Sequence, residues 1–225
     1  DVPDAHFWCI SGDSEFREGS LFEATPDFAE REIGNLTWIV DYNRQSLYGH
    51  RIVNKAIMNG TDADRIERTM AANGWEVIQL RHGDKRKKLF KTKEGAAFQT
   101  FLEKELDDYI LQALLLVKDP AALKKEFTQR FSQLKGFLKD VSDADLYEGL
   151  RDFGGHDILA VAEALEQSKK STRQPTIIIA HTLKGWGLDM AATQGNHSAL
   201  PDQEEMDALQ KKQGIPKETL FAGFD

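Results

Sequence analysis

Apolar positions along the chain gather in short, nearly continuous runs: HFWCI at 6–10, LTWIVD at 36–41, WEVIQL at 75–80 and PTIIIAHT at 175–182. The runs are rich in β-branched and aromatic residues. Continuous rather than alternating apolarity predicts strands buried on both faces, as in parallel sheets. Between the runs the period lengthens to that of a helix. TDADRIERTMAANG opens on a capping box at Thr61 and Asp64, sets Ile66 and Met70 one turn apart, and stops at Asn73-Gly74. Residues 95–136 predict long amphipathic helices interrupted near Asp119-Pro120, followed by helices in SDADLYEGLRDF (142–153) and GHDILAVAEALEQSKK (156–170). This alternation predicts an α/β fold, a doubly wound and mainly parallel sheet flanked by helices, with a helical insertion at about 92–153 between the third and fourth strands. After Gly187 the chain turns irregular through LDMAATQGNHSALP, then forms one helix from about Asp202 to Gln213. A loop that long inside a compact domain is usually functional or mobile.

Composition narrows the function classes. The 225 residues carry a net charge of −8, which argues against a nucleic-acid partner, since such proteins need a concentrated basic face. The one basic run, DKRKKLFKTK at 84–93, reads most simply as a solvated loop or helix end. No stretch approaches the ~20 apolar residues of a membrane span, and no signal peptide pattern is present at the start. Cys9 is the single cysteine, which excludes an intramolecular disulfide and fits a reducing cytoplasm. Within its apolar run it is expected as a buried, inert thiol. Trp8, Trp38, Trp75 and Trp186 lie in or beside strand runs and are expected in the core, with Trp186 close enough to a strand end to line a site.

The chemistry gathers where strands end, because ligand sites of open α/β sheets lie beyond the carboxyl ends of strands. The first strand ends at Gly12-Asp13-Ser14, the second at Asp41-Tyr42-Asn43-Arg44-Gln45, and the last at His181-Thr182-Leu183-Lys184-Gly185-Trp186-Gly187. An aspartate beside a phosphate repels it, but it can hold a divalent cation that bridges to it. Asp13 and Asn43 offer two oxygens to magnesium, a diphosphate would offer two more, and Lys184 would neutralise remaining phosphate charge. Taken alone, Asp13 reads equally well as a helix cap.

Gly-Asp-x followed by an asparagine thirty positions after the aspartate resembles the thiamine diphosphate motif. The blocks GDSEFREG, NRQSLYGH, GWEVIQLRHG, LRDFGGHD and AHTLKGWG, in this order, resemble the diphosphate-binding domain of homodimeric pyruvate dehydrogenases, of which transketolases share a looser version. The likeness spans nearly the whole chain, 1–225, as one domain of a longer enzyme. It implies thiamine diphosphate and Mg2+ as cofactors, with Asp13 and Asn43 as side-chain metal ligands and Gln45 as a main-chain carbonyl ligand. Gly12, Ser14 and Glu15 match the turn against the cofactor, and Lys184 matches a lysine on the diphosphate side. Glu18 matches an acid that joins two active sites of a dimer through a carboxylate network. His197 resembles a histidine that approaches the diphosphate, and His181, closing its strand, is a further cofactor-side candidate. The resemblance also implies a homodimer through the cofactor interface, a possible dihydrolipoyl acyltransferase partner, and a pyrimidine-activating glutamate from a second domain. Two positions depart from the pattern: Ser14 replaces the motif's last glycine, and Tyr48-Gly49 replaces Asp-Gly.

The alternatives are a transketolase acting on sugar phosphates, a non-catalytic fragment whose Ser14 and Tyr48 mark a decayed site, and a magnesium-dependent phosphohydrolase resting on Asp13 alone. His156, just before a helix with Asp157 as its N-cap, reads as structural. No His or Cys spacing suits zinc, and there is neither a Gly-x-Ser-x-Gly elbow nor a Walker loop.

Overall fold

Four strands, β1 (Phe7–Gly12), β2 (Leu36–Tyr42), β3 (Glu76–Leu80) and β4 (Thr176–His181), form one sheet in the order β1-β2-β4-β3. The computed structural model describes residues 5–45, 61–193 and 195–216. All three ladders are parallel, with Cys9 opposite Trp38 and Trp38 opposite Ile177. Each strand stands close to where its apolar run predicts it. Parallel pairing has one consequence for chemistry: Gly12, Tyr42, Leu80 and His181 all leave the sheet at the same edge.

On one face, Trp38, Val40, Tyr42, Ile177 and Ile179 pack against Phe16, Ile66, Met70 and Trp75. The covering helices there are α1 (Gly19–Glu30) and α2 (Asp62–Ala72). The capping box at the start of α2 is formed: Asp64 N donates to Thr61 Oγ1 at 3.3 Å and Thr61 N to Asp64 Oδ2 at 2.6 Å. Between β3 and β4 run α3 (Asp84–Phe90), α4 (Gly95–Thr100), a π-helical turn (Phe101–Glu105), α5 (Asp108–Leu115), α6 (Pro120–Arg130), α7 (Lys135–Asp140) and α8 (Asp143–Arg151). This insertion has its own apolar interior, built around Phe98, Phe101, Phe127, Leu134 and Leu146. The helix α9 (Ile158–Ser168) then returns onto β3 and β4, with Asp157 capping it through Ala160 N at 3.2 Å. Beyond β4, α10 (Gln203–Lys212) is the predicted last helix.

Four expectations are corrected. β1 is not buried on both faces: it is an edge strand, and Phe7 is 56% and Ile10 73% exposed. Cys9 is likewise exposed, and Trp8 and Trp186 stand outside the core. An apolar run reports a strand, but whether a neighbour covers it depends on its rank in the sheet. The basic run is not wholly solvated either. It contains the whole of α3, on which Lys85 and Lys88 face water while Arg86 is buried. Among the described residues no helix is long and apolar enough to cross a membrane. Tyr48, Gly49 and His50 lie outside the described residues.

Candidate functional site

Gly12 ends β1, and the chain turns at once into a short 3-10 helix (Asp13–Arg17). The turn is closed by Glu15, whose Oε2 accepts the Gly12 amide at 2.6 Å. This leaves Asp13 buried beneath the strand edge, where its Oδ2 accepts the Arg44 amide at 3.1 Å. The neighbouring Ser14 Oγ donates to the Gln45 carbonyl at 3.3 Å. The hydroxyl that departs from the glycine motif therefore ties the first loop to the second. A Cβ on Gly12 would meet nothing nearer than Glu15 Oε2 at 3.9 Å, so space remains open beside it.

The loop after β2 is shaped from within. Asn43 Oδ1 accepts the Gln45 amide at 2.8 Å, and its Nδ2 donates to Asp41 Oδ2 at 2.8 Å. This fixes the amide so that its oxygen faces Gln45. Asp41 also accepts the Thr182 hydroxyl, joining β2 to the exit of β4. The Arg44 amide on Asp13 and the Ser14 hydroxyl on the Gln45 carbonyl thus join the two loops, and Asp13, Asn43 and the Gln45 carbonyl bring only oxygen donors to this edge, the chemistry magnesium prefers. In donor chemistry the residues present suit such an ion.

The loop after β4 needs glycine twice: Gly185 and Gly187 take φ of +75° and +89°, a region that residues with a Cβ avoid. Asn196, buried, holds this loop by donating to the carbonyls of Lys184 at 2.8 Å and Met190 at 3.2 Å. His156 supports it from below: its Nε2 accepts the Leu183 amide at 2.8 Å and its ring stacks on Trp186 at 4.7 Å. Lys184 is half-buried on this loop. His197 Nδ1 is buried without a hydrogen-bond partner among the described residues. Glu18 is exposed and stands at the N-cap of α1.

His181 is committed within the protein. Arg44 Nη2 donates to its Nδ1 at 2.8 Å, so Nε2 carries the proton and donates to Gln79 Oε1 at 2.8 Å. Burial first, then the charge of Arg44, holds the ring well below its ordinary 6.5. Nearby His82, hydrogen-bonded to Glu103 at 3.0 Å, is brought down to about 4 by burial and then by the Arg86 charge, both outweighing Glu103. A histidine whose folded pKa is depressed is neutral when folded, and the unfolded chain takes up its proton below 6.5. Stability is therefore complete above that pH and lost below it. His82 alone should cost about 2 kcal/mol by pH 5. Denaturant unfolding at pH 7 and pH 5 measures this, and His82→Gln should shrink the difference by about that amount, leaving the share of His181.

Arg44, Asp108, Asp41, Thr182, Gln79 and Asn196 were not anticipated from sequence. Arg44 lies between two expected ligands, and only its charge at a strand end hints at a buried role. Asp108 sits in the insertion, where nothing local marks it.

Residues 139–222 match the family described as Transketolase, thiamine diphosphate binding domain. The pyruvate dehydrogenase E1 component of Buchnera aphidicola subsp. Acyrthosiphon pisum is 28% identical over 190 residues, covering 84% of this chain and 20% of that protein. The same component of Corynebacterium glutamicum is 28% identical over 220 residues, covering 96% of this chain and 23% of that protein. The chain thus spans 20–23% of the length of these curated relatives. A crystal structure of transketolase from Pichia stipitis superposes with a TM-score of 0.54 over 98% of this chain and 21% of that one, at 20% identity. The matched segment and the relatives are thus similar to transketolase-like, thiamine diphosphate-binding enzymes, and the fold is one that transketolase shares.

Proposed function

We propose that this chain anchors magnesium and the diphosphate of thiamine diphosphate in an enzyme that decarboxylates a 2-oxo acid, pyruvate. The observation that supports this reading is that the Asp13–Ser14 turn bonds the Asn43–Gln45 loop at one sheet edge, through the Arg44 amide and the Gln45 carbonyl. The names of relatives matched over most of the chain favour pyruvate over a sugar phosphate. In this reading those three groups hold Mg2+, Lys184 neutralises phosphate charge, and Gly12, Ser14 and Glu15 form the turn beside the diphosphate. The buried Nδ1 of His197 is available to a phosphate oxygen. Glu18 contributes to a carboxylate network across a homodimer, and the acyl product passes to a dihydrolipoyl acyltransferase core. When bound, thiamine diphosphate supplies the electron sink for cleavage beside a keto group. The chain's own share is to hold that cofactor still and to balance its charge. A second domain must supply the pyrimidine-activating glutamate, so this chain alone is expected to bind without turning over.

Calorimetric titration of thiamine diphosphate, with magnesium and then with EDTA, tests the site. Asp13→Asn keeps an oxygen for the Arg44 amide but removes the charge, and it should weaken magnesium-dependent binding about a hundredfold. Equal binding by the variant, or binding untouched by EDTA, would defeat the reading. Carbon dioxide release from pyruvate by the full-length protein then tests the substrate, and turnover of a sugar phosphate instead would assign a transketolase.

A further inference from the structure

Arg44 joins several parts of the site's framework among the described residues. Its backbone takes φ of +65°, a conformation that residues with a Cβ adopt at a cost unless their surroundings enforce it. Its amide reaches Asp13 at 3.1 Å. Its guanidinium leaves the loop and turns inward. There Nε donates to Asp108 Oδ1 at 2.9 Å, Nη2 to His181 at 2.8 Å, and Nη1 to the carbonyls of Tyr42 at 3.3 Å and Thr182 at 3.4 Å. Its plane lies 4.7 Å from the Tyr42 ring and 5.0 Å from that of Phe153. Both members of the ion pair are nearly buried, with side chains 12% and 10% exposed. Asp108 opens α5 and also accepts the Tyr42 hydroxyl at 3.4 Å, so a carboxylate of the insertion reaches the end of β2.

This geometry has a direct reading. The arginine's side chain fixes a backbone that the loop would not adopt unaided, and that backbone presents one amide to Asp13 and the next to Asn43. The charge that holds the guanidinium in place comes from the insertion rather than from the sheet. A small cavity of about 40 Å³ beside the pair, lined by Arg81, His82 and Glu103 together with Leu102, Leu106 and Leu111, has room for a water to reach the pair if it is broken.

We propose that Arg44 and Asp108 form a positioning pair that sets the Asn43–Gln45 loop against Asp13, making the helical insertion a support of the metal-binding edge. As a role toward magnesium, this rests on the function proposed above. As a role toward the loop, it stands on the contacts themselves.

The test uses Asp108→Asn in the full-length protein, with Asp108→Glu as the conservative variant. Hydrogen exchange at the Arg44 and Gln45 amides should speed up by about tenfold in Asp108→Asn, while exchange in α2 stays as it was. The magnesium concentration that half-saturates thiamine diphosphate binding should rise by about tenfold, and Asp108→Glu should recover part of both effects. Unchanged exchange at the two amides would overturn the proposal. So would uniform acceleration throughout the sheet, which would make the pair merely structural. If local exchange rises but neither the parent protein nor the variant binds the cofactor with magnesium, the positioning pair stands and the proposed function falls.

Discussion

Arg86→Ala is expected to destabilise the protein by about 4 kcal/mol, because it would strip the buried Leu150 carbonyl of its side-chain donor and leave the Gly149 carbonyl only the Asp152 amide at 3.4 Å. Arg86 Nε donates to the Gly149 carbonyl at 2.7 Å and Nη2 to the Leu150 carbonyl at 2.5 Å, two of the last groups of α8. The side chain thus caps a helix end that no residue of α8 caps, with its charge at the negative end of the dipole. Its own amide donates to Asp152 Oδ2 at 2.9 Å, and its plane lies 4.3 Å from the Phe153 ring. Burial, then the charge of Arg44, pulls its pKa down to about 9, so it stays charged at neutral pH. Urea unfolding of parent and variant measures the loss. Arg86→Lys should recover less than half of it, because an ammonium cannot fork across two carbonyls and stack at once. A loss below about 1 kcal/mol for Arg86→Ala would mean that water satisfies those carbonyls.

Gly155→Ala should cost about 3 kcal/mol and carry the damage into the site. The added Cβ would stand 2.5 Å from the His181 carbonyl oxygen and 2.7 Å from Thr182 Cγ2. The carbonyl belongs to the end of β4, so it cannot yield without moving the strand. From there the strain passes to Thr182, which bonds Asp41, and to Leu183, which is held by His156. Gly154 is confined in the same way, with a Cβ there meeting the Leu80 carbonyl carbon at 2.7 Å. The paired glycines let the link from α8 to α9 pass directly against the ends of β3 and β4. Denaturation combined with cofactor titration would register both effects. Normal stability with normal affinity would show that the crossing has slack.

The same glycines show what sequence alone could reveal. Their block, with its neighbours, carried the family likeness, yet nothing in the pattern said which backbone they approach. The four strands and the capping box of Thr61 were legible because apolar runs and caps are local signals. The bare edge of β1 was not, because rank in a sheet is decided by chain far away. Asp13, Asn43 and Gln45 were legible as neighbours through the rule that parallel strands end together. Their supports were not. Arg44 meets Asp108 across 64 positions and Thr182 across 138, and a fixed spacing cannot encode either contact. His181 read as a ligand candidate from its place at a strand end, and only three-dimensional contacts reveal that Arg44 and Gln79 already use both its nitrogens.

The apolar interior is divided, and the site straddles the division. Phe16, the close neighbour of Asp13, packs with the sheet. Leu183, the neighbour of Lys184, packs instead with the phenylalanines of the insertion. The two loops of the proposed site therefore pack into different apolar clusters, and each is expected to open with its own cluster. A ligand gripped by both acts as a cross-link between them, and its binding energy becomes part of what makes one folding unit out of two.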